Sequence, residues 1–269
     1  MDPAAVIQVE QQLDRIEADE SVAIGLAIES GSRAWGFPSP DSDYDCRFLF
    51  VRRRDEYLTP WPRRNVIELP LDGLLDINGW DLAKALRLIL KGNAVVVEWL
   101  MSPIRYREDR WFRDQIEAFA RNYASRNGIG RHYLHLGERQ RRTYFGGDQI
   151  ALKKLFYALR PAAALRWLRL HPDEAVAPMH FPTLMAESDP PLEVAESVDR
   201  LLRAKLASRE LGTGPLPPEI AAFIDREFAQ AHELFPSGPF PADADAEGRD
   251  AAEFLFRLCI DHFEAKVST

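Results

Sequence analysis

Strand-like patterning is confined to the first 105 residues of this chain; beyond them, apolar residues recur at helical spacing. The run 22–29 is apolar until its last residue, which predicts a strand buried on both faces that emerges into the Gly31-Ser32 turn. Residues 43–51 alternate, placing Asp43, Asp45 and Arg47 on one face and Tyr44, Cys46, Phe48 and Phe50 on the other. Short strands at 66–70 and 74–80, joined through Asp72-Gly73, complete the set. Helices are expected at 5–18, at 81–91 with Gly92 as its stop, and at 95–100, before Pro103 closes this half. The remainder predicts helices near 110–126, 130–145, 148–170, 191–211, 217–234 and 247–265, separated by Pro-containing connections at 171–191 and 235–241. The pattern is therefore α+β, with an all-helical second half.

Composition narrows the function. With 46% hydrophobic and 28% charged residues among 269, the chain has ample material for a core. The net charge of −8 excludes a protein that coats nucleic acid with its whole surface. Residues 121–154 are an exception, with eight basic side chains against two acidic ones, a segment suited to a polyphosphate or simply a solvated Arg-rich face. Two distant cysteines and the lack of an apolar leader predict a reducing, cytoplasmic setting, and no apolar run is long enough for a membrane helix.

The chemistry concentrates in Gly31-Ser32-Arg33 and Asp43-Tyr44-Asp45. Residues two apart on a strand point the same way, so Asp43 and Asp45 can converge on divalent cations, and two such ions can clamp the oxygens of a phosphoryl displacement. Mg²⁺ suits carboxylate and phosphate oxygens, with Mn²⁺ as the alternative. A glycine lets backbone approach a phosphate closely, and Ser32 adds a hydroxyl donor. Arg33 has two readings, a phosphate donor or the partner of a nearby carboxylate. An isolated Asp-x-Asp is often no more than solubility on an exposed strand; its coupling to the glycine turn is what points to function.

These residues resemble the signature of the polymerase-beta-type nucleotidyltransferase superfamily. The longer string from Glu29 to Gly36, then Ser39, Asp41, Ser42, Asp43, Tyr44, Asp45 and Arg47, is similar to nucleotidyltransferases grouped with RNA repair, and the likeness continues through residues 76–84 and 92–100. It implies a small mixed sheet with flanking helices as a catalytic domain over 1–105, and a helical domain over 106–269 completing the nucleotide cleft. It also implies a third carboxylate on a later strand, which activates the acceptor hydroxyl. Asp76, at the end of the Leu74-Leu75 run and eight residues before Lys84, is the expected choice, with Glu68 and Asp81 as rivals. In related enzymes a second-domain helix supplies basic and aromatic groups to the nucleotide. Lys153, Lys154, Tyr157 and Arg160 match that role, and Lys153, Tyr157 and Arg160 form one helical stripe that is equally readable as an ordinary surface face.

Asn93 reads as a helix cap, Glu98 as a buried hydrogen-bond partner, Lys84 as either a structural pair or a phosphate contact, and Trp80 and Trp99 as core aromatics. The histidines show no zinc spacing. The expected activity is a Mg²⁺-dependent transfer of a nucleoside monophosphate from an NTP to an acceptor hydroxyl, releasing pyrophosphate. An RNA end is the favoured acceptor, and a protein side chain or small molecule is compatible. The alternative is a nucleotide-sensing or interaction module that has kept the pocket without the chemistry.

Overall fold

Helix α1 (Pro3–Glu20) and the first strand, β1 (Val22–Glu29), occupy the positions their apolar spacing dictates. The structure, a computed structural model, describes residues 1–147, 149–207, 212–236 and 246–267. A single helical turn, α2 (Gly31–Ala34), leads through a loop to β2 (Tyr44–Arg52); then come α3 (Arg54–Tyr57), β3 (Val66–Glu68), β4 (Leu75–Asp81), α4 (Leu82–Leu90) and α5 (Ala94–Leu100). β5 (Arg105–Glu108) precedes α6 (Arg110–Tyr123) and α7 (Arg126–Tyr144). The rest is β6 (Ile150–Ala151), α8 (Leu152–Leu170), α9 (Phe181–Glu187), α10 (Leu192–Ala207), β7 (Thr213–Gly214), α11 (Pro218–Leu234) and α12 (Ala246–Val267).

The five-stranded sheet runs β3-β4-β2-β1-β5, with β2 and β4 parallel and the other pairs antiparallel. Val9, Leu13 and Ile16 of α1 bury one face against Ala27, Cys46, Phe48, Phe50 and Ile77. Leu26, Ile28, Leu49 and Val51 point the other way into a core shared with α4 to α8 and the later helices. A register shift between Ile24 and Leu26 lets β1 serve both cores. α8 is buried on most of its surface, through Leu155, Phe156, Leu159, Ala162, Ala163 and Leu165, and forms the centre of the helical half.

Strand signals do not end at residue 105 as the patterning predicts. β5 pairs with β1, and β6 with β7. β5 reads as a polar loop because Arg-Tyr-Arg-Glu belongs to an edge strand with no continuous apolar side, and Arg107 spends its charge on α1, reaching Glu10, Asp14 and Glu17 at 2.7, 2.7 and 2.8 Å. The connection at 171–191 contains α9, whose Pro182 sits in its first turn. α7 begins four residues earlier than its apolar pattern suggests, because Ser125 caps it by accepting from the Gly128 amide at 3.1 Å. Residues 208–211 of the expected 191–211 helix, Asp148, and Ser237 and Gly238 of the 235–241 connection lie outside the described residues. No helix among the described residues is long and apolar enough to cross a membrane.

Candidate active site

β1 delivers the buried Glu29 to a turn that the β2 backbone holds in place: the Ser30 amide donates to the Asp45 carbonyl at 2.8 Å. Gly31 follows at φ +61°, and a Cβ on it would lie 2.1 Å from Asp45 Oδ2. Only glycine combines this left-handed backbone with so close an approach. Ser32 Oγ donates to Ser42 Oγ at 3.0 Å, and the Ser39 amide donates to the same oxygen at 2.9 Å, so the hydroxyl at the turn is oriented by the loop before β2.

Asp43 stands exposed just before β2, and Asp45 is half-buried on it. The parallel register sets Asp45 directly beside Asp76 of β4, with both side chains on the face opposite Tyr44, Cys46, Leu75 and Ile77. One nitrogen, Arg47 Nη2, lies 3.2 Å from Asp45 Oδ1 and 2.7 Å from Asp76 Oδ2. Both carboxylates thus already flank a single cation-sized position, filled here by a guanidinium. The rivals lie elsewhere: Glu68 is exposed and paired with Arg64 at 2.6 Å, while Asp81 lies five residues along β4 from Asp76, capping α4 and accepting from Tyr57 at 2.8 Å.

Burial raises the Asp45 carboxyl above the usual aspartate range; Arg47 opposes this, and the charges of Asp76 and Asp43 reinforce it. Glu29 is pushed up to about 7, chiefly by burial, against hydrogen bonds from Tyr106 and the Asp45 amide. That amide donates to Glu29 Oε1 at 3.0 Å, so the end of β1 fixes the backbone that carries the central carboxylate.

Asp43, Asp45 and Arg47 open onto a cavity of about 500 Å³, and Lys153, Lys154 and Tyr157 at the start of α8 line it together with Gly31 and Ser32. Three of the expected site residues, Asp76, Arg33 and Arg160, do not line it; Asp76 stands beside Asp45 on the far side of Arg47, which does. The Arg33 guanidinium donates to the carbonyls of Asp43 at 3.0 Å and Ser42 at 2.6 Å and lies over the Tyr44 ring at 3.9 Å, so it braces the loop, a role neither sequence reading foresaw. Arg160 is buried, pairs with Glu98 at 2.5 Å and lies over the Trp35 ring at 4.4 Å; it supports a cavity residue from behind. The stripe therefore splits, with Lys153 and Tyr157 at the opening and Arg160 in the core.

The basic segment 121–154 does not act as one surface. Arg141 pairs with Asp225, Arg126 donates to the Leu168 carbonyl, Arg131 is buried, and Lys153 and Lys154 reach the cavity. Asn93 caps α5, Glu98 accepts from Tyr133 at 2.8 Å, Trp80 packs on Trp99 with ring centroids 4.2 Å apart, and Lys84 lies over Trp80.

Three contributors, Arg47, Glu29 and Lys205, were not among the expected site residues, although the first two belong to the string that carries the resemblance. Arg47 shares the period-two face of Asp43 and Asp45, and Glu29 ends an otherwise apolar strand, so both left a signal. Lys205 of α10, also on the cavity wall, left none, because nothing in its local spacing connects it to a turn 168 residues earlier.

Asp43, Asp45 and Asp76 supply only hard carboxylate oxygen, the donor chemistry of Mg²⁺ or Mn²⁺, and two of them already share one positive charge. The donor types fit such a cation. Among the described residues no three carboxylate, histidine or cysteine side chains stand together as a ready-made cage, so accepting an ion there requires Arg47 to turn aside.

Over 253 residues, 94% of each chain, the protein is 36% identical to the uncharacterized protein YcgL of Bacillus subtilis (strain 168). A family model described as RNA repair pathway DNA polymerase beta family matches residues 6–256. A match of that extent, on a chain whose glycine turn and strand carboxylates meet at one cavity, places this protein in the RNA repair pathway DNA polymerase beta family.

Proposed function

We propose that the protein is a nucleotidyltransferase that moves a nucleoside monophosphate from an NTP to an acceptor hydroxyl and releases pyrophosphate. The observation that carries this reading is the register pairing of Asp45 with Asp76, two acids flanking one cation-sized position beside the Gly31 turn. Family membership supports the reaction class. A divalent cation held by Asp43, Asp45 and Asp76, Mg²⁺ or Mn²⁺ in one or two copies, would offset the charge that develops on the reacting phosphate.

The chain's own groups do the rest by placement. The Gly31 backbone and the Ser32 hydroxyl hold the β and γ phosphates, with Lys153 and Lys154 adding positive charge and Tyr157 an aromatic wall to the same cavity. Asp76, less enclosed than Asp45, orients the acceptor hydroxyl and takes its proton. Glu29, Arg33 and Arg160 keep these groups in place. The family description favours an RNA end as acceptor.

Incubating the protein with labelled NTPs, Mg²⁺ and total RNA, and following labelled product and pyrophosphate, tests the proposal. Label appears with the wild type and not with Asp45→Asn; equal incorporation by both would refute it. One observation favours the second reading, a nucleotide-sensing module: Arg47 fills the position between the two carboxylates. That reading requires NTP binding with no transfer to any acceptor.

A further inference from the structure

A lysine buried to 8% exposure normally has an acidic partner. Lys205 near the end of α10 has none within ion-pair distance among the described residues. Its Nζ donates to the Phe37 carbonyl at 2.6 Å and lies over the Phe37 ring, 5.0 Å from the centroid. An ammonium has three N–H groups, and one neutral carbonyl satisfies only one of them. The side chain lines the cavity that Gly31, Asp45, Lys153 and Lys154 also line. Burial draws the ammonium below the ordinary lysine range; the Asp41 carboxylate opposes this from a distance, and Lys153 reinforces it. A positive charge is thus kept in a desolvated wall, near that of Lys153, with no carboxylate in ion-pair contact among the described residues.

We propose that Lys205 is a polyphosphate-binding residue, whose ammonium joins Lys153 and Lys154 in holding the pyrophosphate-bearing end of the nucleotide and, after transfer, the pyrophosphate product. This rests on the nucleotidyltransferase reading and adds to it a third element: the anion is gripped by the glycine turn, by the start of α8 and by the end of α10. A merely structural lysine would serve only to tie α10 to Phe37, which a neutral donor does equally well. Apart from the Phe37 ring face, what the charge at the cavity wall can serve is an anion.

Lys205→Gln separates the two roles, since glutamine keeps an N–H for the Phe37 carbonyl and removes the charge. Calorimetric titration with inorganic pyrophosphate in EDTA reads the anion site without involving metal or turnover. The wild type binds, Lys205→Gln binds about ten- to a hundredfold more weakly, and Lys205→Arg recovers part of the loss. Acetic anhydride labelling of the wild type, read by mass spectrometry, gives a measure that does not depend on how well a variant folds: pyrophosphate protects Lys205. Unchanged affinity in a folded Lys205→Gln protein, no binding by the wild type, or equal labelling of Lys205 with and without pyrophosphate overturns the proposal. Label transfer from NTP with an unaltered KM in Lys205→Gln sinks this inference and leaves the transferase reading standing. Pyrophosphate binding through Lys205 without transfer from any NTP does the reverse.

Discussion

Gly31 and Asp45 are in contact: the α-carbon of the one sits so near the carboxylate of the other that a methyl group would fall 2.1 Å from Oδ2. The turn proposed to receive phosphate and the acid proposed to face the cation are therefore one packed unit. Gly31→Ala adds a clash to an unfavourable left-handed φ of +61°, at a cost of about 1–3 kcal/mol. The expected result is a lower melting temperature together with loss of nucleotide transfer, checked by thermal melts and a turnover assay; wild-type values for both would show that the contact is dispensable.

Two of the candidate third acids, Asp76 and Asp81, give separable outcomes. Asp76→Asn, like Asp45→Asn, lowers transfer by about a hundredfold or more while the melting temperature stays near that of the wild type. Asp81→Ala removes the α4 cap and the acceptor for Tyr57, so it costs about 2 kcal/mol in stability with transfer per folded molecule largely kept. Denaturant titrations beside turnover measurements decide the assignment, and it is lost if Asp81 behaves as the activity residue and Asp76 as the structural one.

Arg47 is the counterion of Asp45 and Asp76, so Arg47→Met leaves their charges facing each other. In EDTA this variant melts below the wild type, and Mg²⁺ raises its melting temperature by more than it raises that of the wild type, because the guanidinium no longer competes for the position. Identical Mg²⁺ increments in the two proteins would show that Arg47 and the ion do not share a place.

Asp109 predicts a pH dependence remote from the cavity. Burial opposes its ionisation, but hydrogen bonds from Lys266, the Phe112 amide and His262 prevail and hold its carboxyl down at about 2, below an ordinary value of 3.8. A depressed carboxyl adds stability that is complete above the unfolded value and is lost as the pH falls from 3.8 toward 2. Asp109→Asn keeps the α6 cap and removes the charge. Urea midpoints should show the wild type ahead at pH 7 and its lead shrinking below pH 4; a lead that is constant with pH would remove Asp109 as the titrating link between α6 and α12.

What was readable in the residues follows from how locally each feature is determined. The run 22–29 announces β1 because both its faces are buried, and Asp43, Asp45 and Arg47 fall on one side because a strand has a period of two. The adjacency of Asp45 and Asp76 depends on a parallel pairing that no short window contains, and it entered only through the family likeness. β5 was hidden by its charges, which serve α1 through Arg107. Arg160 matched the nucleotide-binding role of related enzymes, with a surface face as the equal alternative, yet α8 turns it inward to Glu98, because a helix buried on most sides has little open face to offer.

The loop at Trp35, Gly36 and Phe37 meets Arg160 from α8, His180 and Phe181 at α9, and Lys205 from α10. During synthesis the acidic strands leave the ribosome long before these helices exist, and Lys205 follows Phe37 by 168 residues. Until then the nascent chain displays the aromatic loop bare, with carboxylates and no lysine wall. The cavity's lysine wall is therefore completed late in translation: a fragment ending before α8 inherits the acids without any of the three lysines, and one ending before α10 still lacks Lys205.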